Sequence, residues 1–479
     1  MNFIDKDLAS VQESRILIEG AKEAKAILSE LPQEKLDEII RAVSQTAVGH
    51  LKEWAGLAVA ETGCGCPEDE WKLMQQLLEN LRDRFNTMQC VGILAENPKE
   101  GTLDIGVPLG IAVVLCPAQS PVAVVLNLVL ACIKSGNAVI FIPHAETVNT
   151  VTEVIRILDE AAVAAGLPKG ALTCLETVAE SGGKAAISHS DVSVIVNIGM
   201  KTLLPDCHLT GKPVLYGSTG PSPVFIERTA KIKQAVTNII ASRSFNHGMM
   251  PAAEQYMIVD SSIAAEVKQA MIAGGAYFMA DEQEHRLLEL LCPAGREMDS
   301  GYIGRSAVWL AKRAGFYVPP ETKVLVSEKM YIADRNPYSK ELRCPVLACY
   351  IEPDWTRACE KCMNLLVQES RGQTLVIHSE DDDVIMQFAL KKPVARMLVN
   401  TPAVQGALGM TTKLFPAMML GGLTAQMGIM AENISPMNLI YIRKIGYGVR
   451  NPSEPDNNNI DTEVLKQLLK KVMSELANK

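Results

Sequence analysis

The sequence predicts an α/β protein built on parallel sheet and divided into two large units. Three observations carry that expectation. From about residue 111 onward, apolar runs of strand length alternate with stretches of helical period, the pattern of strands joined by crossover helices. At 479 residues the chain is too long for one hydrophobic core. About half its residues are apolar and about a fifth charged, an ordinary globular balance.

Residues 6–89 come first and read as helices, with LPQEKLDEIIRAVSQTAVGHL (31–51) the clearest amphipathic stretch. The period then changes. Strands are expected at 111–116, 137–142, 171–176, 191–196 and 213–217. Helices fit between them at 121–136, 146–166 and 181–189, the second closed by Gly166 and Pro168. The most apolar stretch, 110–133, is long enough to span a membrane by count, but Pro117, Gln119, Ser120 and Pro121 interrupt it. Strand, turn and buried helix is the better reading, so no membrane partner is expected. A second α/β unit runs from about 237 to 436, with strands at 253–260, 322–328, 345–352, 374–380 and 395–401. Residues 439–448 read as a late strand.

Pro, Asn, Ser and Asp crowd together after that strand, so 451–459 is read as a linker. Residues 460–479 then form an amphipathic helix with Val464, Leu465, Leu468, Leu469, Val472, Met473 and Leu476 on one face. A helix this short is marginal alone in water, so it needs a surface to bind. It either docks on its own oligomer or binds another protein.

Charge and cysteine content narrow the function. A formal net charge of -9 argues against a broad nucleic-acid surface, which needs clustered Lys and Arg. The opening MNFIDKDLAS is acidic where a secretory leader is basic, which predicts no leader. Twelve cysteines without a leader point to a reducing cytoplasm. Cys64 with Cys66, and Cys359 with Cys362, lack the partners of a zinc site and read as ordinary thiols, so no metal is expected.

Several segments in order resemble the aldehyde dehydrogenase superfamily in its CoA-acylating branch. They include VPLGIAVVLCPAQSPVAVVLN, NAVIFIPHAET, GKPVLYGSTGPSPVFIERTAKI, SFNHGMMPAAEQYMIVD, ELRCPVLACY and ARMLVNTPAVQGALG. The likeness covers about residues 10–448. That branch includes propanediol- and ethanolamine-utilisation enzymes, acylating succinate-semialdehyde dehydrogenase and one half of bifunctional aldehyde-alcohol dehydrogenases. The resemblance implies a Rossmann-like nucleotide-binding domain at 1–236, with an oligomerisation hairpin at about 92–108. It implies a catalytic domain at 237–436 and an oligomerisation strand at 437–450. It also implies NAD(H) and CoA as cofactors, and a homo-oligomer, dimer or tetramer. The family reaction adds a cysteine thiolate to an aldehyde, passes hydride to NAD and hands the acyl group to CoA. Hydrolytic members place a general-base Glu where this chain has Gly217, which agrees with the acylating branch.

The departures gather at the implied active site. The acylating loop reads G-x-I-C-A/S-S-E-Q. Aligned through Gly248, Glu254 and Gln255, its cysteine falls on Pro251. Proline offers neither a nucleophile nor a backbone N–H for an oxyanion. Ser120 stands where the family has its oxyanion Asn, with Gln119 beside it as a possible donor. Asn197, Ile198 and Gly199 replace the T-G-G cofactor loop, and Gln373 replaces a frequent His. Pro143 and His144 match the strand end beside the adenosine, and Glu341 the residue that holds the nicotinamide ribose. Cys344 is the one candidate substitute thiol, though a buried structural thiol is the plainer reading. His247 reads as a packed or solvated histidine. No sequence feature points to thioesterase chemistry.

Two readings follow. The chain is a CoA-acylating, NAD-dependent aldehyde dehydrogenase, inactive or severely impaired by Pro251. Alternatively it is a non-catalytic pseudoenzyme that serves as scaffold, sensor or oligomer partner. The tail resembles the encapsulation peptides of bacterial microcompartments, which implies a shell or cargo partner for 460–479 and a place in the cytoplasm or within such a compartment.

Overall fold

The computed structural model describes residues 5–333, 336–368, 372–423, 430–448 and 467. The linker at 451–459 lies outside these, as does the tail at 460–479 apart from Gln467.

Three helices open the chain: α1 (Lys6–Leu28), α2 (Gln33–Thr62) and α3 (Pro67–Phe85). Each buries one apolar stripe and exposes the rest. Pro67 starts α3, where its missing N–H costs nothing, and Glu68, Asp69 and Glu70 fill the acid-favouring first turn. Then come the hairpin β1 (Gly92–Asn97) and β2 (Thr102–Pro108), followed by β3 (Ile111–Leu115), α4 (Pro121–Lys134) and β4 (Ala138–Ile142). The unit continues with α5 (Val148–Ala164), β5 (Leu172–Cys174), α6 (Glu180–Ser188), β6 (Val194–Asn197), α7 (Leu204–Leu209) and β7 (Val214–Tyr216).

The parallel strands lie in the order β5-β4-β3-β6-β7. The chain runs outward from β3 on one side and returns to β6 on the other, so the sheet reverses direction between β3 and β6. Ligands of open α/β sheets sit at the carboxyl ends of the strands at such a point. Every residue of α4 is buried, which explains its membrane-like hydropathy: it packs between the helical layer and the sheet. At its end the buried Lys134 donates to Asp37 Oδ1 at 2.6 Å and Phe85 O at 3.0 Å, pinning α4 to α2 and α3. Among the described residues no helix is long and apolar enough to cross a membrane.

The second sheet has seven strands, all parallel, in the order β10-β11-β12-β9-β8-β13-β14. They are β8 (Ser222–Ile226), β9 (Glu254–Asp260), β10 (Ala276–Phe278), β11 (Val324–Lys329), β12 (Val346–Glu352), β13 (Thr374–His378) and β14 (Arg396–Val399). Helix α8 (Ile232–Ser244) joins β8 to β9. β8 is not among the strands expected from sequence, yet it pairs with both β9 and β13. It precedes residue 237, and that residue falls inside α8, so this sheet begins before the expected boundary. The last strand, β15 (Ile440–Gly446), pairs antiparallel with β2, completing a three-stranded sheet with β1.

Candidate active site

A cavity of about 390 Å³ opens between loops that belong to the two large sheets. The loop after β3 supplies Gln119 and Ser120, the loop after β6 supplies Ile198 and Gly199, and the segment leading into β9 supplies Met250 and Pro251. Its size suits a small-molecule site.

The loop into β9 is wound tightly. Asn246, His247 and Ala252 all have positive φ, at 49°, 51° and 65°. Gly248 has φ 73°, and a Cβ there would lie 2.6 Å from the Cys344 carbonyl carbon, so only glycine fits. Helix α3 clamps this loop. Asp69 Oδ2 accepts the Asn246 N–H at 2.9 Å, and Asn246 Oδ1 accepts the Cys66 N–H at 2.8 Å. Asn246 Nδ2 donates to Glu70 Oε1 at 2.6 Å.

Ser120 is the N-cap of α4 and also has a left-handed backbone, φ 44° and ψ 49°. Its hydroxyl donates to Glu70 Oε1 at 2.7 Å and accepts from Asn246 Nδ2 at 3.2 Å. Glu70 is fully buried, and burial raises its pKa above the ordinary carboxylate range, against the Ser120 and Asn246 hydrogen bonds. Its Oε2 has no hydrogen-bond partner among the described residues.

Across the cavity, Arg343 reaches Gln119 Oε1 at 3.1 Å and donates to Glu341 Oε2 from Nε at 3.3 Å and Nη2 at 3.2 Å. Glu341 Oε1 accepts the Gly220 N–H at 2.9 Å. Burial alone raises the Glu341 pKa, but Arg343 and the Gly220 amide outweigh it and hold the carboxyl below its usual range. Both carboxylate oxygens are therefore engaged.

Gln119, Ser120, His144, Gly199, Pro251 and Glu341 thus share the cavity wall. Three other candidates do not line it. Pro143 is buried past the end of β4. Asn197 spends its amide on the turn, accepting the Met200 N–H at 2.8 Å and donating to Met200 O at 3.0 Å. Cys344 is 0% exposed, and burial pushes its thiol up to about 12. Cys344 therefore sits as a buried, neutral thiol outside the cavity wall. Gln119 presents its amide oxygen to Arg343, and Gln373 is buried against Thr374 and Arg396. His247 is half-buried, and its pKa is lowered by burial. Sequence reasoning missed Glu70, Asn246 and Arg343; Asn246 and Arg343 lie inside segments that carry the resemblance but had no role assigned, and Glu70 lies in none of them.

The Aldehyde dehydrogenase family model matches residues 4–280. The chain belongs to the aldehyde dehydrogenase family. A probable aldehyde dehydrogenase from Listeria monocytogenes EGD-e is 35% identical, with a TM-score of 0.91 over 94% of this chain and 99% of that one. An acetylating aldehyde dehydrogenase from Geobacillus thermoglucosidasius is 30% identical, also with a TM-score of 0.91, over 94% and 100% of the two chains. The bifunctional aldehyde-alcohol dehydrogenase AdhE of Escherichia coli (strain K12) is 29% identical over 449 residues, 93% of this chain and 50% of that protein. The chain therefore spans about half the length of that curated relative. In this aldehyde dehydrogenase fold the cavity lies at the reversal point of the first sheet, against the loop that enters the second.

Proposed function

We propose that this chain descends from the CoA-acylating aldehyde dehydrogenases and no longer performs their thiol-dependent oxidation. One observation carries the reading: Pro251 stands in the cavity wall, and none of the twelve cysteines lines the cavity. The covalent intermediate has no atom on which to form. Descent from the acylating branch is supported by Gly217 in the wall, where hydrolytic enzymes carry a carboxylate, and by the acetylating relative.

The cavity retains room for the adenosine-phosphate end of CoA or NAD. His144 and the left-handed Gly199 (φ 70°) line that side and would receive it. The nicotinamide end fits poorly, because Arg343 and Gly220 already occupy the Glu341 carboxylate. Ligand binding without aldehyde oxidation suits a sensor or an oligomer partner. The sheet β1-β2-β15 carries the exposed side chains Ile93, Tyr441 and Ile442, which favours a dimer or tetramer through it. Recruitment into a microcompartment through 460–479 belongs to the same reading.

The test is CoA-dependent NADH formation from acetaldehyde and propionaldehyde, with the native chain beside Pro251→Cys. The native chain is expected to be silent. Pro251→Cys restores both a thiol and an N–H, and measurable turnover there is the expected gain. NADH formation by the native chain overturns the proposal.

A further inference from the structure

We propose that Ser120 is a nucleophile with Glu70 as its base, and that the cavity hydrolyses activated short acyl groups, thioesters and aryl esters. This goes beyond the loss of aldehyde oxidation and uses a different atom.

Four features of the site support it. The first is placement. Ser120 follows a strand, stands at the start of a helix and forms part of the cavity wall, in a left-handed conformation that non-glycine residues seldom adopt. A strained serine at a strand-to-helix junction is a recurrent way to present a hydroxyl. The second is the base. Glu70 Oε1 lies 2.7 Å from Ser120 Oγ, within reach for proton transfer. The third is the orienting group. Asn246 Nδ2 bonds both Glu70 Oε1 at 2.6 Å and Ser120 Oγ at 3.2 Å, and is itself held by Cys66 and Asp69. Nucleophile, base and orienter are thus linked in sequence. The fourth is the bare oxygen. Glu70 Oε2 has no partner among the described residues, so the carboxyl has an oxygen not already committed to a hydrogen bond. No cation is among the groups that shift Glu70, and Asp69 is the charged neighbour.

The step balances without an added oxidant. The Ser120 proton passes to Glu70 as Oγ bonds the acyl carbon. The C–S or C–O bond to the leaving group breaks, and Glu70 returns the proton to the departing sulfur or oxygen. Water then attacks the acyl-serine, giving its proton to Glu70; the acyl–Oγ bond breaks, Glu70 passes that proton to Ser120 Oγ, and the carboxylic acid leaves with Ser120 and Glu70 both restored. The first amide of α4 used inside the helix is that of Val124, which donates to Ser120 O at 3.2 Å. Pro121 has no N–H, so Val122 and Ala123 carry the remaining open donors of the helix's first turn.

The test uses the full chain with p-nitrophenyl acetate and, separately, acetyl-CoA, with no nicotinamide present. Saturable release of p-nitrophenolate is expected, and peptide mapping after acid quench should place the acetyl group on Ser120. Ser120→Asn tolerates the left-handed backbone and should fall to the buffer rate. Glu70→Gln keeps the hydrogen-bond acceptor and should lose about 10²–10⁴-fold. If Ser120→Asn does not fold, the acetyl map of the native chain and the Glu70→Gln rate decide. Hydrolysis no faster than buffer, acetylation elsewhere, or native rates in either variant overturns the proposal. NADH formation by the native chain would overturn the previous reading and leave this one standing.

Discussion

His378 makes stability depend on pH in a way that can be worked from its surroundings. It lies on β13, is 1% exposed, and its Nε2 has no partner among the described residues. Burial lowers its pKa from 6.5 to about 4. Above pH 6.5 the imidazole is neutral in both states and contributes nothing to pH dependence. As pH falls below 6.5 the unfolded chain takes up a proton that the folded chain refuses, so stability is lost until the pH reaches about 4. At about 1.4 kcal/mol per pH unit, the loss is about 2 kcal/mol at pH 5 and about 3 kcal/mol when complete. The perturbation is His378→Leu, and the assay is urea unfolding followed by circular dichroism at pH 7.5 and 5.0. Every other titrating group is shared, so the difference between the two proteins' acid losses isolates His378. The variant should lose about 2 kcal/mol less than the native chain on going to pH 5. Equal losses would refute the reasoning and mean that the imidazole is charged or solvated in the fold.

Arg343→Ala should free the Glu341 carboxylate and tighten NADH binding by about tenfold, the worth of one charge-assisted hydrogen bond, about 1.5 kcal/mol, read by calorimetric titration. Glu254 behaves oppositely to His378: burial raises its carboxyl to about 7, against hydrogen bonds from Ser242 and the Ala403 amide and the charge of Arg243. The unfolded carboxyl ionises first as pH rises, so this group costs stability progressively from about pH 4.5 to about 7. Glu254→Gln should therefore gain more over the native chain at pH 8 than at pH 5 in the same urea assay.

Much of the fold was legible because burial on both faces writes long apolar runs, as in IAVVL of β3 and AVIFI of β4. β8 was not legible because prolines flank and enter it, and Pro223 argues against a central strand. The structure admits it through a register shift between Ser222 and Pro223, where the ladder is already irregular. At the site, Gln119, Ser120, His144, Gly199, Pro251 and Glu341 were reachable through motif order, since each sits at a strand end or in a loop with a fixed place in the chain. Glu70 was not. It reads as one of three acids in a helix's first turn, where the dipole alone explains it. Its role exists only because α3 packs its amino end against the loop into β9, and no local period records that contact. Arg343 was hidden in the same way, two residues beyond a recognised glutamate.

The pattern of strain separates decay from reuse. Ser120, His247 and Ala252 hold left-handed backbone, at about 1–3 kcal/mol each. A loop that had only lost its nucleophile would gain by relaxing once nothing required its shape. It does not relax, because Asn246 is fixed through its backbone N–H, its side-chain oxygen Oδ1 and its side-chain nitrogen Nδ2 to Asp69, Cys66 and Glu70 at α3's amino end. Two of those partners are carboxylates, and one of them, Glu70, also takes the Ser120 hydroxyl. The contacts that keep the loop strained are therefore the same contacts that hold a hydroxyl against a buried carboxyl at the cavity wall. Removing Pro251 changes none of them, whereas Glu70→Gln weakens the acid-base partner while leaving the shape. Hydrolysis therefore depends on Glu70 and is indifferent to thiol chemistry, and the two substitutions act on separable properties of one cavity.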